Sequence, residues 1–541
     1  MIMEKLGQQM VQLRKPWISL MPFTLTFLFL IITSGLPPSV LAAEPQPQYG
    51  GTFRVATTPA RSYDPHMETW PQTTILTLNT YSGLLRTNKD MDGVELDLAE
   101  SWKQVDAVTY VFKLRQGVRF HDLPPVNGRE LTSEDVKYSI ERISGLHGLA
   151  SDFKHQYYFE NQIESIQAPD KYTVIIKTKG TYAPFINYLA SPFSPIVPKE
   201  AVEAFKDLKR NTIGSGPFIL KEFIQGSHFS LVKNTKYFKK GLPYLDGIHC
   251  KFITEPSAMM AAYLAGQLDA MGATFYQAPT IKKEAPDSTI IERDLGFGFV
   301  LRCPPWQDNK PYQPPFDKLQ VRQAIAMSID KKKLLELAQG GHGKVQVGAV
   351  PNWPTFSLPA SEQVEYNPEK AKKLLAEAGY PNGFTTELIT WNMEMMVKPA
   401  QVIQGMLGEV GIKVDLKVME MAQYFNRIFK FDYQMALHQM GAGLDPEEWL
   451  VKYFGDPTES VTYKWQNKEV WRLISEQRKT IDKKKRAAII QEIQRLLLKD
   501  APNVWLYTQS QFNVNRPYVH RVLYENDYQP LVGELVWLEK H

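Results

Sequence analysis

Residues 213–269 limit the possible folds of this chain more than any other stretch, because strand, turn and helix signals alternate there at close spacing. The stretch opens Gly214-Ser215-Gly216-Pro217-Phe218. Two runs with alternating apolar positions follow, 218–220 and 229–231, and a period of two belongs to half-buried strands. Gly226-Ser227 between them predicts a hairpin turn. Ile248, Cys250 and Phe252 alternate in the same way and predict a third strand. Pro256 suits the first turn of a helix, where an N–H has no intrahelical partner. Gly266 suits the end of that helix, where the backbone turns left-handed. A small lobe of sheet and helix is therefore expected in the middle of a long chain.

Four pieces of this stretch carry a resemblance: Gly-Ser-Gly-Pro-Phe at 214–218, Asn234 with Tyr237-Phe238, Leu242-Pro243-Tyr244-Leu245-Asp246, and Leu264-Ala265-Gly266-Gln267-Leu268-Asp269. Together they resemble the extracellular solute-binding proteins of the peptide/nickel type (family 5), the soluble receptors of ABC importers. A second signature lies upstream. A strand with Tyr110, Phe112 and Leu114 on one face leads through a basic turn to Thr132-Ser133-Glu134-Asp135, which can cap a helix bearing Val136, Ile140 and Ile143. It resembles the family over this run with few departures; one is Leu123-Pro124-Pro125, where a glycine is usual in the family and the loop here is longer.

The chain has 541 residues, too many for one core, so two or three domains are expected. Residues 1–43 read as a cleavable secretory signal. Arg14 and Lys15 flank an apolar run, Pro37-Pro38 breaks it, and Val40-Leu41-Ala42 leaves small residues at the cut. The alternative is an uncleaved anchor. No cysteine lies near the cut, so a free periplasmic protein rather than a lipoprotein is expected. Removing residues 1–42 takes away three basic residues and one acidic residue and leaves +2 of the +4 net charge, far from the basic field that nucleic-acid binding needs. The compartment would permit a disulfide between Cys250 and Cys303, and two buried thiols fit equally well.

Downstream, strand and helix patterns alternate. Strands are expected at 297–303, 387–391, 412–418 and 433–440. A helix starts at Asn367-Pro368, keeps Ala371, Leu374, Leu375 and Ala378 on one face, and stops at Gly379. Others are expected at 399–409 and around 489–497. Such alternation predicts a second α/β lobe. Gly340-Gly341-His342-Gly343 reads as a turn; Lys344 lacks the phosphate-loop spacing. The run Lys483-Lys484-Lys485-Arg486 reads as a solvated helix face.

Motifs for chemistry are missing. There is no nucleophile elbow, no His-Glu-X-X-His, no Cys-X-X-Cys and no P-loop. No two histidines stand at helical ligand spacing, so no built-in metal or cofactor is expected, although His66 and His438 could meet in space. A secreted hydrolase is accordingly disfavoured; a sensor or chaperone using the same cleft remains an alternative to transport.

The resemblance implies an α/β fold: the two-lobed periplasmic-binding-protein fold, type II, in its large three-subdomain form, with hinge strands between the lobes. The expected division is a discontinuous first lobe (49–95, 212–300, 503–541), an extra subdomain inserted at 96–211, and a second lobe at 301–502. A cleft between lobes is a favoured ligand site, and its closure is a hinge motion. The expected ligand contacts are Tyr63, His66 and Trp70 from the first lobe, and Trp391, Asn392, Met440, Asp445, Glu447 and Trp449 from the second. The bland reading of Tyr63-Asp64-Pro65-His66 is a turn with its aromatics packed on the lobe. In peptide binders of the family an aspartate three places before this Asp-Pro pair holds the free amine; here that place is Ala442. Glu447 falls where nickel-complex binders have a histidine. Asp445 could replace the missing clamp or could simply bond loop N–H groups beside Pro446. The expectation is a monomer that captures a small, peptide-like or other solute for an ABC permease and its ATPase.

Overall fold

The hairpin foreseen at residues 218–231 organises the first of the three larger sheets among the described residues, which also hold two two-stranded ones. In this computed structural model, Phe218–Ile224 and His228–Lys233 pair antiparallel, and Gly226 turns between them at φ +73°. Gly247–Phe252 pairs with His228–Lys233, and Thr52–Thr57 adds in parallel at its far side. The inward-facing positions Phe53, Phe218, Phe229, Leu231, Ile248 and Cys250 form one core. Pro256 opens the helix Pro256–Leu264, and Gly266 follows it at φ +73°. The structure describes residues 46–67, 71–88, 93–146, 156–303, 313–351, 353–440, 443–460, 465–522 and 532–540. The signal expected at 1–43, the proposed contact Trp70, and Ala442 lie outside them. Among the described residues no helix is long and apolar enough to cross a membrane.

The second sheet is antiparallel, in the order Ala99–Gln104, Thr109–Leu114, Thr173–Thr178, Ile163–Asp170. The helix Ser133–Ile143 packs Val136, Ile140 and Ile143 onto it beside Tyr110, Phe112 and Leu114. The expected cap is present: the Thr132 N–H donates to the Asp135 carboxylate at 2.9 Å. Arg129 grips the same carboxylate at 2.6 and 2.9 Å and reaches Glu200 as well. The longer loop after Phe120 therefore still delivers the helix N-terminus in place.

The third sheet has seven strands and the greatest reach. Its order is Ala270–Ala273, Asn503–Asn515, Thr289–Arg302, Met435–Met440, Thr385–Trp391, Lys413–Met419, with Lys344–Val345 paired onto Asn503–Asn515. The last three strands run parallel, as the strand–helix alternation foretold. Helices begin and end near their sequence signals. Asn367 caps Pro368–Glu377 by accepting from the Lys370 N–H at 2.9 Å. The helix expected from Pro399 instead starts at Glu394 and carries Pro399 inside it. Met396, fully buried upstream of the proline, adds contacts to the core that offset the lost backbone bond. The Gly340–Gly343 segment is the expected turn, with Gly340 in left-handed backbone ending Lys331–Gln339.

One hydrophobic cluster holds Phe299, Val300 and Leu301 together with Val504, Trp505, Leu506 and Tyr507. One expectation changes. In the basic run, Lys483, Lys484 and Lys485 are exposed, but Arg486 is buried. Its partner is described below. Cys250 sits in the first-lobe core and Cys303 in the second-lobe core; each remains a buried thiol, which selects the second of the two alternatives.

Candidate functional site

The site is organised by two long antiparallel strands. Thr289–Arg302 and Asn503–Asn515 stay paired from Thr289↔Asn515 to Arg302↔Asn503, with register shifts between Asp294 and Gly298 and between Phe299 and Val300. At one end Asn503–Asn515 pairs with Ala270–Ala273 of the first lobe. At the other end Met435–Met440 of the second lobe joins, from Gly298↔Met440 to Arg302↔Ala436. The irregularity at 294–298 thus lies where the sheet passes from one lobe to the other. A break in regular pairing lets a strand bend locally, which suits a hinge. Near this crossing the Gln439 side chain donates to Gln509 Oε1 at 3.2 Å, both residues half-buried.

Segments that follow the C-terminal ends of the second-lobe strands reach across to the other half, one from a helix cap and one from the helix Glu394–Glu409. After Met435–Met440, Asp445 accepts from Asn187 Nδ2 of the inserted subdomain at 2.8 Å. Close by, the Ala183 N–H donates to the Arg478 carbonyl at 2.7 Å. After Thr385–Trp391, Lys398 Nζ stands 3.4 Å from Tyr276 Oη and 5.2 Å from its ring centroid.

The expected contact residues divide sharply. Tyr63 is 2% exposed and edge-packed against Phe223 at 5.3 Å, with Phe229 and Phe252 beyond; its hydroxyl accepts from the Ala60 N–H. Burial pushes that hydroxyl up to about 12. It is a core residue, as the bland reading had it. His66 is equally buried. Its Nδ1 faces an Arg142 N–H at 2.7 Å, and since a guanidinium can only donate, Nε2 carries the proton and donates to the Pro195 carbonyl at 3.0 Å. Asp64 beside it takes both arms of Arg142 at 2.5 and 3.0 Å. Burial raises the Asp64 carboxyl, but this guanidinium outweighs it and holds the group below its usual range. The pair pins the helix Ser133–Ile143 of the inserted subdomain to the first lobe.

In the second lobe, Met440 is fully buried and Trp449 nearly so, the latter edge-on to Trp353 and beside Tyr453. Both belong to the second-lobe core. Asp445 caps Pro446–Phe454, accepting from the Glu447 N–H at 2.9 Å, and takes a two-armed bond from Arg486. This assigns it the loop-bonding role, with an ion pair added. Glu447 accepts from Arg478 Nε at 2.5 Å, while its Oε2 is buried without a hydrogen-bond partner. Burial raises the Glu447 carboxyl to about 7, and Asp445 adds to this; Arg478 and Arg486 oppose it. Glu448 next to it is raised for the same first reason. Trp391 is 5% exposed, packed on Tyr424 and Phe425, with its indole N–H unpartnered. Asn392 is exposed and donates to Glu420 at 2.7 Å. His438, which could have met His66, instead bonds Tyr424 Oη at 2.8 Å inside the second-lobe core, where burial keeps it neutral. Among the described residues no group of three or more His, Cys, Asp or Glu could hold a metal.

Sequence reasoning missed Asn187, Lys398, Tyr276, Gln439, Gln509, Arg478 and Arg486. Only Gln439 carried a usable signal, since a polar residue on the mostly apolar strand Met435–Met440 marks a face that meets water or ligand.

The sequence pattern of the bacterial extracellular solute-binding proteins, family 5, middle region, matches residues 93–461. The chain belongs to that family. The family 5 assignment agrees with the curated relatives: the glutathione-binding protein GsiB of Salmonella paratyphi A is 28% identical over 442 residues, covering 78% of this chain and 82% of that one. It agrees with solved structures too. DppA from Helicobacter pylori in complex with the peptide STSA is 25% identical, with a TM-score of 0.74, covering 91% of this chain and 99% of that one. AgaA from A. tumefaciens R10 in complex with agropinic acid is 26% identical, with a TM-score of 0.73 and the same coverage. This family 5 protein has the two-lobed fold and is an ABC-transporter substrate-binding protein, not an enzyme.

Proposed function

We propose that this chain is the periplasmic capture subunit of an importer. It takes a small, amide-bearing acid or peptide-like solute between its lobes, closes by bending at residues 294–298, and presents the closed form to a permease and its ATPase. It works as a monomer, after a signal at residues 1–43 is removed and without a lipid anchor. The inserted subdomain moves with the first lobe, and residues near 299 and 507 mark where the second lobe begins and ends. The observation that carries this reading is the set of direct polar bridges between the halves, Asn187 to Asp445 and Lys398 to Tyr276, beside two continuous crossing strands. A solute placed among such bridges favours the closed form by the contacts it makes only there. The Gln439–Gln509 pair offers amide donors and acceptors for that purpose. Glutathione, the peptide STSA and agropinic acid, named with the relatives, set the chemical range. Ala442 has no carboxylate, and an ammonium left unpaired in a buried site costs about 3–5 kcal/mol. The preferred solute therefore does not rely on a free amine.

A thermal-shift panel of glutathione, agropinic acid, and short peptides with free and with acetylated amines tests this. A solute at about 100 times its Kd raises stability by about 2.7 kcal/mol. Small-angle scattering on the same samples should show contraction. Binding without contraction rejects hinge closure. A strict need for the free amine rejects the argument from Ala442.

A further inference from the structure

Where the helix Pro446–Phe454 meets the inserted subdomain, acidic groups outnumber basic ones. Four carboxylates gather there: Asp445, Glu447 and Glu448 at the helix start, and Glu459 beyond its end. Three cations face them. Arg486 takes Asp445. Arg478 is shared between Glu447 Oε1 at 2.5 Å and Glu459 Oε1 at 2.7 Å. Lys452, exposed and one turn along the same helix, acts on Glu448. One negative charge is therefore in excess. The facing wall of the joint does not cancel it, since among the described residues the inserted subdomain adds no cation here. It brings the Asn187 amide to Asp445 and a group of phenols. Tyr157 Oη stands 3.5 Å from Glu459, while Tyr158 and Tyr182 both stack on Tyr188, at 4.1 and 6.2 Å. Burial, and after it the Glu447 charge, push the Tyr182 phenol well above its usual range, so it stays protonated opposite that carboxyl. Glu447 Oε2 is buried at this wall without a hydrogen-bond partner, and so is the Tyr188 hydroxyl.

A carboxylate buried in excess of its cations is costly, and such a group takes up a proton instead. When the joint opens, the tyrosine wall withdraws and water reaches Glu447, so its charge is no longer penalised. We propose that Glu447 is a proton-operated latch of this joint: closing draws one proton onto its unpartnered oxygen, so the closed form is favoured in acid surroundings and opening is favoured as the pH rises. The inference rests on the capture reading above, and it concerns what controls closure rather than what is captured. In the closed joint burial raises the Glu447 carboxyl to about 7. The closed form then holds a proton that the open form has released, and the bias toward closing is lost as the pH rises through about 7. Glu448 is raised by burial too, but its Oε2 accepts from the Leu444 N–H within the second lobe, so opening changes its surroundings less.

The test uses the full mature chain labelled with 13C at its glutamate carboxyls, with Glu447→Gln to assign the signal. Lys398→Cys and Tyr276→Cys, bridged by a short thiol cross-linker, hold the lobes together without any solute, and the same chain before bridging is the open reference. The expected result is a Glu447 titration midpoint at about 7 in the bridged chain and at least about one pH unit lower in the open one, which makes closing about tenfold or more favoured on the acid side. If Glu447→Gln does not fold, Glu448→Gln takes its place, and the raised midpoint must survive it. An ordinary carboxylate midpoint in the bridged chain overturns the latch and leaves the capture reading standing. A midpoint at about 7 in both chains also overturns it, because burial within the second lobe alone then raises the group. If no solute of the panel contracts the protein, the capture reading falls and the latch falls with it.

Discussion

Two joints hold this molecule together, and they are built on opposite principles. The joint between the first lobe and the inserted subdomain is welded. Asp64 and Arg142 meet there at 0% and 4% exposure, His66 locks onto the same guanidinium, and the returning chain is pressed so close that a side chain at Gly214 would lie 2.1 Å from the Thr80 carbonyl. Pulling this joint apart would strand a buried charge. The joint between the second lobe and the rest of the molecule includes side-chain bridges whose second-lobe members keep other partners or meet water. When Asn187 leaves, Asp445 keeps its cap bond and its Arg486 pair; when Tyr276 leaves, Lys398 turns to water. An interface can open and close repeatedly only if opening leaves nothing buried and unpaired. On the capture reading proposed above, the second joint is the one that moves.

The largest effect should come from breaking the welded joint. Arg142→Met leaves Asp64 buried opposite an apolar chain and should cost about 3–5 kcal/mol of stability. Calorimetry should show the loss equally with and without solute. A variant that melts normally but closes poorly would show that this joint also moves. Tyr63→Ala comes next, at about 3 kcal/mol, the cost of an aromatic removed from a packed core. The loss must appear in the solute-free protein; unchanged melting with weakened binding would return Tyr63 to the cleft.

These two residues also show what could and could not be read from the chain. Periodicity and caps were legible: the hairpin at 218–231, the Thr132–Asp135 start, the Asn367 cap and the parallel second lobe all depend on neighbours within a few positions. Family resemblance then supplied the two-lobed arrangement. The site was far less legible. Tyr63 stands in a loop, and a loop has no period to say which way a ring points; Trp449 stands in the helix Pro446–Phe454, which the sequence reading did not foresee. Asp445 finds Arg486 at a distance of 41 residues, inside a run of lysines that conceals it. Thr289–Arg302 was foreseen only from Phe297, because Glu292, Arg293 and Asp294 break the apolar alternation just where the strand crosses between lobes. The polar residues that hid the strand are at the crossing itself.

A smaller effect separates the joints by pH. Glu447, at the reversible joint, has its carboxyl raised by burial to about 7 from an ordinary 4.5. Between these values the folded protein holds a proton that the unfolded chain has released. Stability from this group therefore falls as pH rises through the window and levels off above about 7. Asp64, at the welded joint, is shifted the other way, so its contribution is lost only as pH falls below the ordinary carboxylate range. Melting temperature followed from pH 5 to 8 (about the range in which Glu447 alone of the two titrates) should decline in the natural chain and flatten in Glu447→Gln. A slope that survives that substitution assigns the titration elsewhere.

The smallest effect is the most discriminating. Asn187→Ala removes one bond to a carboxylate that remains capped and paired, so melting of the solute-free protein should change by no more than about 0.5 kcal/mol. The closed form loses that bond and the open form does not. A hydrogen bond to a charged group is worth about 1.5 kcal/mol at its lower end, so solute affinity should fall about tenfold, through faster release. Asn187→Asp goes further, setting two carboxylates against each other in the closed form only, and should hold the lobes apart in scattering even with solute present. If Asn187→Ala instead lowers melting as Arg142→Met does, both joints are welded, and the motion must be sought within the strands at 294–298 alone.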